Sequence, residues 1–243
     1  FLDNRCGTTH MTDTADWTLP YPASDSGSDA DTILLVASDL TGDGLDDLLV
    51  GYNGTYMQLM EGPISESDGA LWTVDYPTDA YTPGLGITID ADFNDDGNPD
   101  MAVPVLSYGE EIPPSIMVFY GPFTGPPEWS APDHMLELGS PFSLAGGSGL
   151  AAADFTGDGE VDLAFDTRGA GTDIHVWTNV AGSSTAALGS SATINWSGTV
   201  FESGSADLGV GPTRADVNGD GNADLVHVGP DTDALSIQLG PLT

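Results

Sequence analysis

The sequence predicts an all-β chain built from four similar sheets, on three observations. A nine-residue acidic pattern recurs four times, the copies start 53, 62 and 62 residues apart (at Asp39, Asp92, Asp154 and Asp216), and each is followed at once by an apolar run. These runs are Leu48 to Val50, Met101 to Val105, Leu163 to Phe165 and Leu225 to Val228. A period of about 60 residues is too long for a solenoid coil and fits one four-stranded blade of a propeller.

Each copy reads Asp, apolar, Asn or Thr, any, Asp, Gly, any, any, Asp. Oxygen ligands at positions 1, 3 and 5, a main-chain carbonyl at 7 and a carboxylate at 9 can surround a hard cation, and Gly at 6 permits the sharp turn around it. The first half is like an EF-hand loop, whose twelfth position carries a bidentate Glu. Here that position holds Val50, Val103, Phe165 and His227, so the ninth Asp is expected to close the site. The flanks (Ile33 to Ala37 and Ile87 to Ile89 before, the apolar runs after) have strand character, which makes each loop the tip of a hairpin.

The expected ligands for about four Ca2+, one per blade, are Asp39, Thr41, Asp43, the Leu45 carbonyl and Asp47; Asp92, Asn94, Asp96, the Asn98 carbonyl and Asp100; Asp154, Thr156, Asp158, the Glu160 carbonyl and Asp162; and Asp216, Asn218, Asp220, the Asn222 carbonyl and Asp224. Thr at position 3 makes the first and third sites the looser pair, because a hydroxyl is a poorer calcium ligand than an amide or carboxylate oxygen. Asp and Gly are also good turn formers, and one copy alone would read as a turn. Four copies with three Asp each crowd negative charge in a way a turn does not need.

The strands are expected near 32–38, 47–51, 55–61 and 70–75; 86–91, 100–106, 115–120 and 127–131; 149–153, 162–166, 173–179 and 193–197; and 211–215, 224–228 and 234–239. Three repeats carry Gly-Pro-apolar-Ser/Thr after their third strand: Gly62 to Ser65, Gly121 to Thr124 and Gly240 to Thr243. A Trp-bearing fourth strand follows the first two (Trp72, Trp129), but the chain stops after the last. Asp16 to Pro22 is the relative of Leu71 to Pro77, so the N-terminal strand around Trp17 is expected to complete the fourth blade and close the ring. This gives a tail at 1–13 and a single four-bladed propeller at 14–243, each blade of four antiparallel strands (about 31–76, 86–131, 149–197, and 211–243 plus 14–19). The stretch Ala181 to Ser191 is low in complexity and expected to be a loose connection.

Composition narrows the partners. The 243 residues hold 38 acids against three Arg and no Lys, a formal charge of −35. Four bound Ca2+ would bring −35 to −27, still strongly acidic. Such a surface excludes nucleic acid and anionic membrane as natural partners and suits a salty medium. No apolar run approaches the length of a membrane span, and the start at Phe1 reads as a mature or trimmed chain. Calcium sites of modest affinity fill where calcium is abundant, so an extracellular or cell-surface location and a monomeric state are expected. Cys6, the lone cysteine, has no internal disulfide partner.

The loops, the strands after them (Asp47 to Gly51) and small-residue lead-ins such as Ser148 to Asp154 resemble the FG-GAP repeats of integrin α-subunit propellers. The resemblance covers nearly the whole chain after residue 13, although those propellers have seven blades and the Phe-Gly element is sparse here. It implies a calcium-binding recognition or adhesion module without catalytic activity, its partner an unknown protein or glycan. Three alternatives stay open: a carbohydrate-binding lectin, an accessory propeller of a larger secreted enzyme, and a purely structural scaffold with no ligand.

By the same resemblance, ligands meet the face opposite the calcium hairpins. The candidates there are Tyr52, Asn53, Tyr76, Tyr81, Tyr108, Glu110, Glu111, Arg168 and Asp231. Blade-capping is the plainer role for such Tyr. Arg214 is two residues before its loop, as are Ala37, Asp90 and Ala152, so Asp90 and Arg214 are expected to pair across a central channel. An enzyme is not expected: His10, His134, His175 and His227 fall in a tail, a connection and two strands, without metal-ligand spacing.

Overall fold

The computed structural model describes residues 33–52, 56–65, 68–76, 80–81, 88–107, 114–138, 143–144, 150–168, 173–182, 185–187, 193–196, 213–229 and 234–242. It is all-β, with four sheets and, among the described residues, one 3-10 turn at Val180–Gly182. Each sheet contains one acidic loop, which joins an inner strand to the long strand after it. Among the described residues no helix is long and apolar enough to cross a membrane.

Sheet 1 is the expected four-stranded meander of β1 (Ile33–Ser38), β2 (Asp47–Tyr52), β3 (Tyr56–Met60) and β4 (Trp72–Asp75). Among the described residues, sheets 2 and 3 depart from four strands. Sheet 2 has six: β5 (Ala80–Tyr81) and β6 (Thr88–Ala91) both pair with the eight-residue β7 (Asp100–Ser107), followed by β8 (Ser115–Phe119) and β9 (His134–Glu137). Sheet 3 repeats the split inner strand, with β10 (Ser143–Leu144) and β11 (Leu150–Ala153) on β12 (Asp162–Arg168), then β13 (Asp173–Trp177).

The stretch expected to be a loose connection is partly ordered: β14 (Thr185–Ala187) adds in parallel to β9 as the sixth strand of sheet 2, before the chain returns to sheet 3 as β15 (Thr193–Trp196). That strand covers an edge that would otherwise present unpaired backbone groups. Among the described residues sheet 4 has three strands, β16 (Thr213–Ala215), β17 (Asp224–Gly229) and β18 (Ala234–Gln238). The N-terminal strand expected to complete it, with Trp17, lies outside the described residues.

The outer strand of sheet 2 corrects one expectation. Residues 127–131 form no strand; Trp129 is in a turn closed by Ala131 N–H donating to the Glu128 carbonyl (2.9 Å), and the strand is β9, seven residues later. Pro126, Pro127 and Pro132 explain the shift, since proline cannot donate to a ladder. Trp129 instead straps two sheets together: its Nε1 donates to the Asp75 carbonyl (3.0 Å) while its ring meets Phe119 edge-on at 5.5 Å.

The core is three layers, each between consecutive sheets, and the period-2 alternation of strand side chains deals residues to them. In sheet 2, Met101, Val103, Val105, Met117 and Phe119 face sheet 1 and meet Leu49, Met57, Leu59 and Trp72. Their neighbours Ala102, Ile116, Val118 and Leu136 face sheet 3 and meet Leu163, Phe165 and Trp177. On the far side of sheet 3, Ala164, Ile174 and Val176 join Leu225 and Leu242. This succession is propeller-like, with inner strands β1, β6, β11 and β16 touching in order. A closed ring is not seen among the described residues.

Candidate metal centre

The four loops share one hydrogen-bonded plan, set by two left-handed positions. Gly at position 6 has φ of +90° (Gly44), +90° (Gly97), +93° (Gly159) and +91° (Gly221). Position 4 is left-handed as well: Gly42, Gly157 and Gly219 have φ of +75° to +76°, and Asp95 has 57°. The sequence pattern left position 4 free; three glycines among four copies were the signal for it. Asp tolerates this region better than most residues, which is why it can stand in once.

These turns curl the backbone round the first Asp. In every loop the position-5 N–H donates to one of its carboxylate oxygens and the position-6 N–H to the other. The position-7 N–H donates to the position-5 carboxylate at 2.8 to 3.0 Å. In loops 2 and 4 the position-3 amide joins in, Asn94 Nδ2 donating to Asp96 Oδ2 (3.0 Å) and Asn218 Nδ2 to Asp220 Oδ2 (2.9 Å). In these two loops positions 1, 3 and 5 are thereby neighbours at the loop tip. The N–H of Asn98 and that of Asn222 are the main reasons the carboxyls of Asp96 and Asp220 are held below the usual carboxylate range.

The ninth Asp has a task the sequence did not disclose. Asp47, Asp100, Asp162 and Asp224 are at most 1 % exposed, and each clamps two segments. One oxygen of Asp47 accepts the N–H groups of Leu40 and Thr41 (2.8 Å each), and the other accepts that of Gly62 at the end of β3 (2.9 Å). Asp100 binds Phe93 and Gly121 N–H, Asp162 binds Phe155, Thr156 and Asn179 N–H, and Asp224 binds Val217 and Gly240 N–H.

The Gly-Pro signature exists for this clamp. A Cβ on Gly62, Gly121 or Gly240 would sit 2.4 Å from the carbonyl oxygen of the residue just before the ninth Asp. The peptide bonds from these glycines to Pro63, Pro122 and Pro241 are cis. Sheet 3 lacks the signature and uses Asn179 (φ 47°), whose Oδ1 accepts the Gly182 N–H (2.8 Å). Burial pushes the Asp100 carboxyl up to about 6 against the pull of its N–H donors, and the charges of Asp92 and Asp96 add to the rise. Burial also raises Asp162, with Asp158 adding.

The donor set fits a hard cation. Among the described residues no three acidic side chains converge into a ready cage. The oxygens at positions 1, 3, 5 and 7 nevertheless belong to one small turn, and a carboxylate offers about four lone-pair sites, more than the N–H donors occupy. Thr41, at position 3 of loop 1, supplies a more pointed observation: its Oγ1 is buried without a hydrogen-bond partner. In loop 3 the corresponding hydroxyl of Thr156 donates to Asp162 Oδ2 (3.1 Å). A cation in loop 1 would give the orphaned Thr41 oxygen a partner.

The expected ligand face is less well represented. Tyr52 and Arg168 end β2 and β12, and Tyr81 in β5 pairs with Leu106 near the end of β7, so all three backbones are at the sheet ends remote from the loops. Tyr76 is a correction: it is 4 % exposed, 5.8 Å from the Trp129 ring, and part of the layer between sheets 1 and 2. Asn53, Tyr108, Glu110, Glu111 and Asp231 lie outside the described residues. So do the side chains of Asp90 and Arg214, but a bulge between Thr88 and Ala91 removes Asp90 from the register that Ala37, Ala152 and Arg214 share.

His134 is not in a connection but in β9, buried, with its Nε2 on the Tyr120 hydroxyl; His175 is buried in β13 against Phe165.

No family model matches the chain. Integrin alpha-PS2 of Drosophila melanogaster is 31% identical over an alignment of 153 residues that covers 54% of this chain and 11% of that protein. The chain therefore spans about a tenth of that relative's length. A solved structure of BBS1N in complex with ARL6DN, soaked with lead, aligns with a TM-score of 0.33 and 11% identity over 88% of this chain and 68% of that one. What stands is a partial, integrin-alpha-like sequence relationship alongside four acidic loops of one geometry.

Proposed function

We infer that the chain is a calcium-binding recognition or adhesion module of an extracellular or surface protein, without catalytic activity of its own. The observation that carries this reading is the loop plan repeated in all four sheets, with position-1 and position-5 carboxylates at an open tip and no basic residue within any of the four loops. Each loop would take one Ca2+ through its first, third and fifth side chains and its seventh carbonyl, with a remaining lone pair of the ninth Asp. The cation's role is structural: it offsets the repulsion between the acids and fixes the turn. The partial match to an integrin alpha chain supports an outside location.

The four sheets would close into a ring. Position 2 of the first three loops is a buried apolar residue beneath the following sheet, with Leu40 at 1 %, Phe93 at 2 % and Phe155 at 0 % exposure, whereas Val217 of the fourth is 49 % exposed. Leu40 meets Phe123 and Phe155 meets Leu242, each the apolar residue after a Gly-Pro. By that rule the cover for Val217 is Ile64 of sheet 1, and the strand near Trp17 would pair with β18. The ligand is an unidentified protein or glycan, met at the end of the sheets remote from the loops.

A binding screen of the purified chain against glycans and extracellular-matrix proteins, with millimolar Ca2+ and with chelator, tests the function. Calcium-dependent binding to a protein supports the reading. A defined sugar as the only ligand would narrow the reading to a lectin, and silence in both conditions would remove the recognition role.

A further inference from the structure

Loops 1 and 2 touch. A Cβ on Gly42, position 4 of loop 1, would lie 3.0 Å from Oδ1 of Asn98 and 3.3 Å from Pro122 Cβ. Asn98 is position 7 of loop 2, and its Nδ2 donates to Asp96 Oδ1 within that loop (2.9 Å). Side-chain packing is backed by backbone bonding. Phe123 N–H donates to the Leu40 carbonyl of loop 1 (2.7 Å), while Gly121 N–H, two residues earlier, donates to Asp100 of loop 2 (2.9 Å).

The segment Gly121 to Phe123 is therefore held at one end by loop 1 and at the other by the clamp of loop 2. The carbonyl that receives Phe123 belongs to the same peptide group as the Thr41 N–H, which donates to Asp47 as the Leu40 N–H does. Thr41 also carries the buried hydroxyl without a partner, the one atom here that asks for a ligand independently of the acids.

We propose that loops 1 and 2 take up their cations cooperatively, as one coupled pair. The inference rests on the calcium reading of the loops. A cation drawing on Thr41 Oγ1 fixes the Leu40–Thr41 peptide, which seats Phe123. Through Gly121 it also places Asp100, so less ordering remains for the second ion to impose. Loops 3 and 4 share only the backbone half of this link: Leu242 N–H donates to the Phe155 carbonyl (2.7 Å) and Gly240 N–H to Asp224 (2.9 Å), with Pro241 rather than a loop residue against Gly157. Their coupling is weaker.

The amides of Gly44, Gly97, Gly159 and Gly221 each donate to the first Asp of their own loop and so report each site separately in a 15N-labelled full chain titrated with CaCl2. Asp92→Ala disables loop 2. The Gly44 midpoint is then expected to rise about 5-fold or more, the lower end of ordinary coupling, with Gly159 and Gly221 unmoved. Linkage is reciprocal, so Asp39→Ala must raise the Gly97 midpoint by the same factor.

A Gly44 midpoint unchanged in Asp92→Ala overturns the pairing, as does an equal displacement of all three remaining sites, which marks general destabilisation. If Asp92→Ala fails to fold, Asp96→Asn makes the same test with the loop's shape kept. Wild-type amides that ignore calcium would sink the calcium reading and the pairing together. Wild-type amides that respond while Gly44 is indifferent to loop 2 sink the pairing alone.

Discussion

Replacing Asp47 separates the clamp from the metal site, because its bonds to backbone N–H groups exist without a cation. Asp47→Ala leaves the N–H groups of Leu40, Thr41 and Gly62 without their acceptor, in a place where Asp47 itself is 1 % exposed and Leu40 is also 1 % exposed. An unsatisfied buried donor costs about 1–3 kcal/mol, and some of the three will recover water at the loop rim, so the sum is about 3–5 kcal/mol. At about 2–4 °C per kcal/mol for a chain of this size, the thermal midpoint should fall by roughly 10 °C. The assay is thermal or urea unfolding in excess chelator, with Asp43→Ala as the comparison. Asp43 is exposed at the loop tip and accepts one N–H, so its loss should matter little until calcium is added. An Asp47→Ala variant within about 1 kcal/mol of wild type in chelator refutes the clamp.

Three other outcomes follow from the same geometry. Gly62→Ala puts a methyl 2.4 Å from the Asp46 carbonyl oxygen, a contact only a backbone shift can relieve, and urea unfolding should show a loss of about 2 kcal/mol or more. Gly69→Ala, with nothing within 4 Å, is its control and should be nearly neutral. Phe165→Ala empties a fully buried site between sheets 2 and 3 and should cost about 3–5 kcal/mol by the same measurement. Saturating calcium should raise the thermal midpoint by many degrees over chelator, since a site at a hundred times its Kd contributes about 2.7 kcal/mol.

Much of the architecture was legible because its signals are local. Asp-x-Thr/Asn-x-Asp-Gly fixes a turn, and the alternating apolar run after it fixes a strand buried on both faces, as Met101 to Val105 shows. The strands bounding each loop begin or end where the pattern places them. What the sequence hid depends on partners distant in the chain. Trp129 reads as a strand residue until the three prolines near it are weighed, and Tyr76 reads as a surface residue until Trp129 is brought against it. Strand β14 is low in complexity and pairs only because sheet 2 offers it an edge. The ninth Asp looked like a fifth ligand. Its clamp was encoded in the Gly-Pro signatures in three of the four sheets, but its partner is 15 to 21 residues away, and no spacing rule joins the two.

The most direct measurement is calorimetric titration of the chelator-stripped chain with CaCl2, paired with a metal count on the protein recovered by gel filtration. Uptake of about four Ca2+ per chain, lost in steps as Asp39, Asp92, Asp154 and Asp216 are replaced one at a time by Ala, is the predicted result. A chain that takes up no calcium at millimolar concentration, or whose uptake survives all four replacements, contradicts the account.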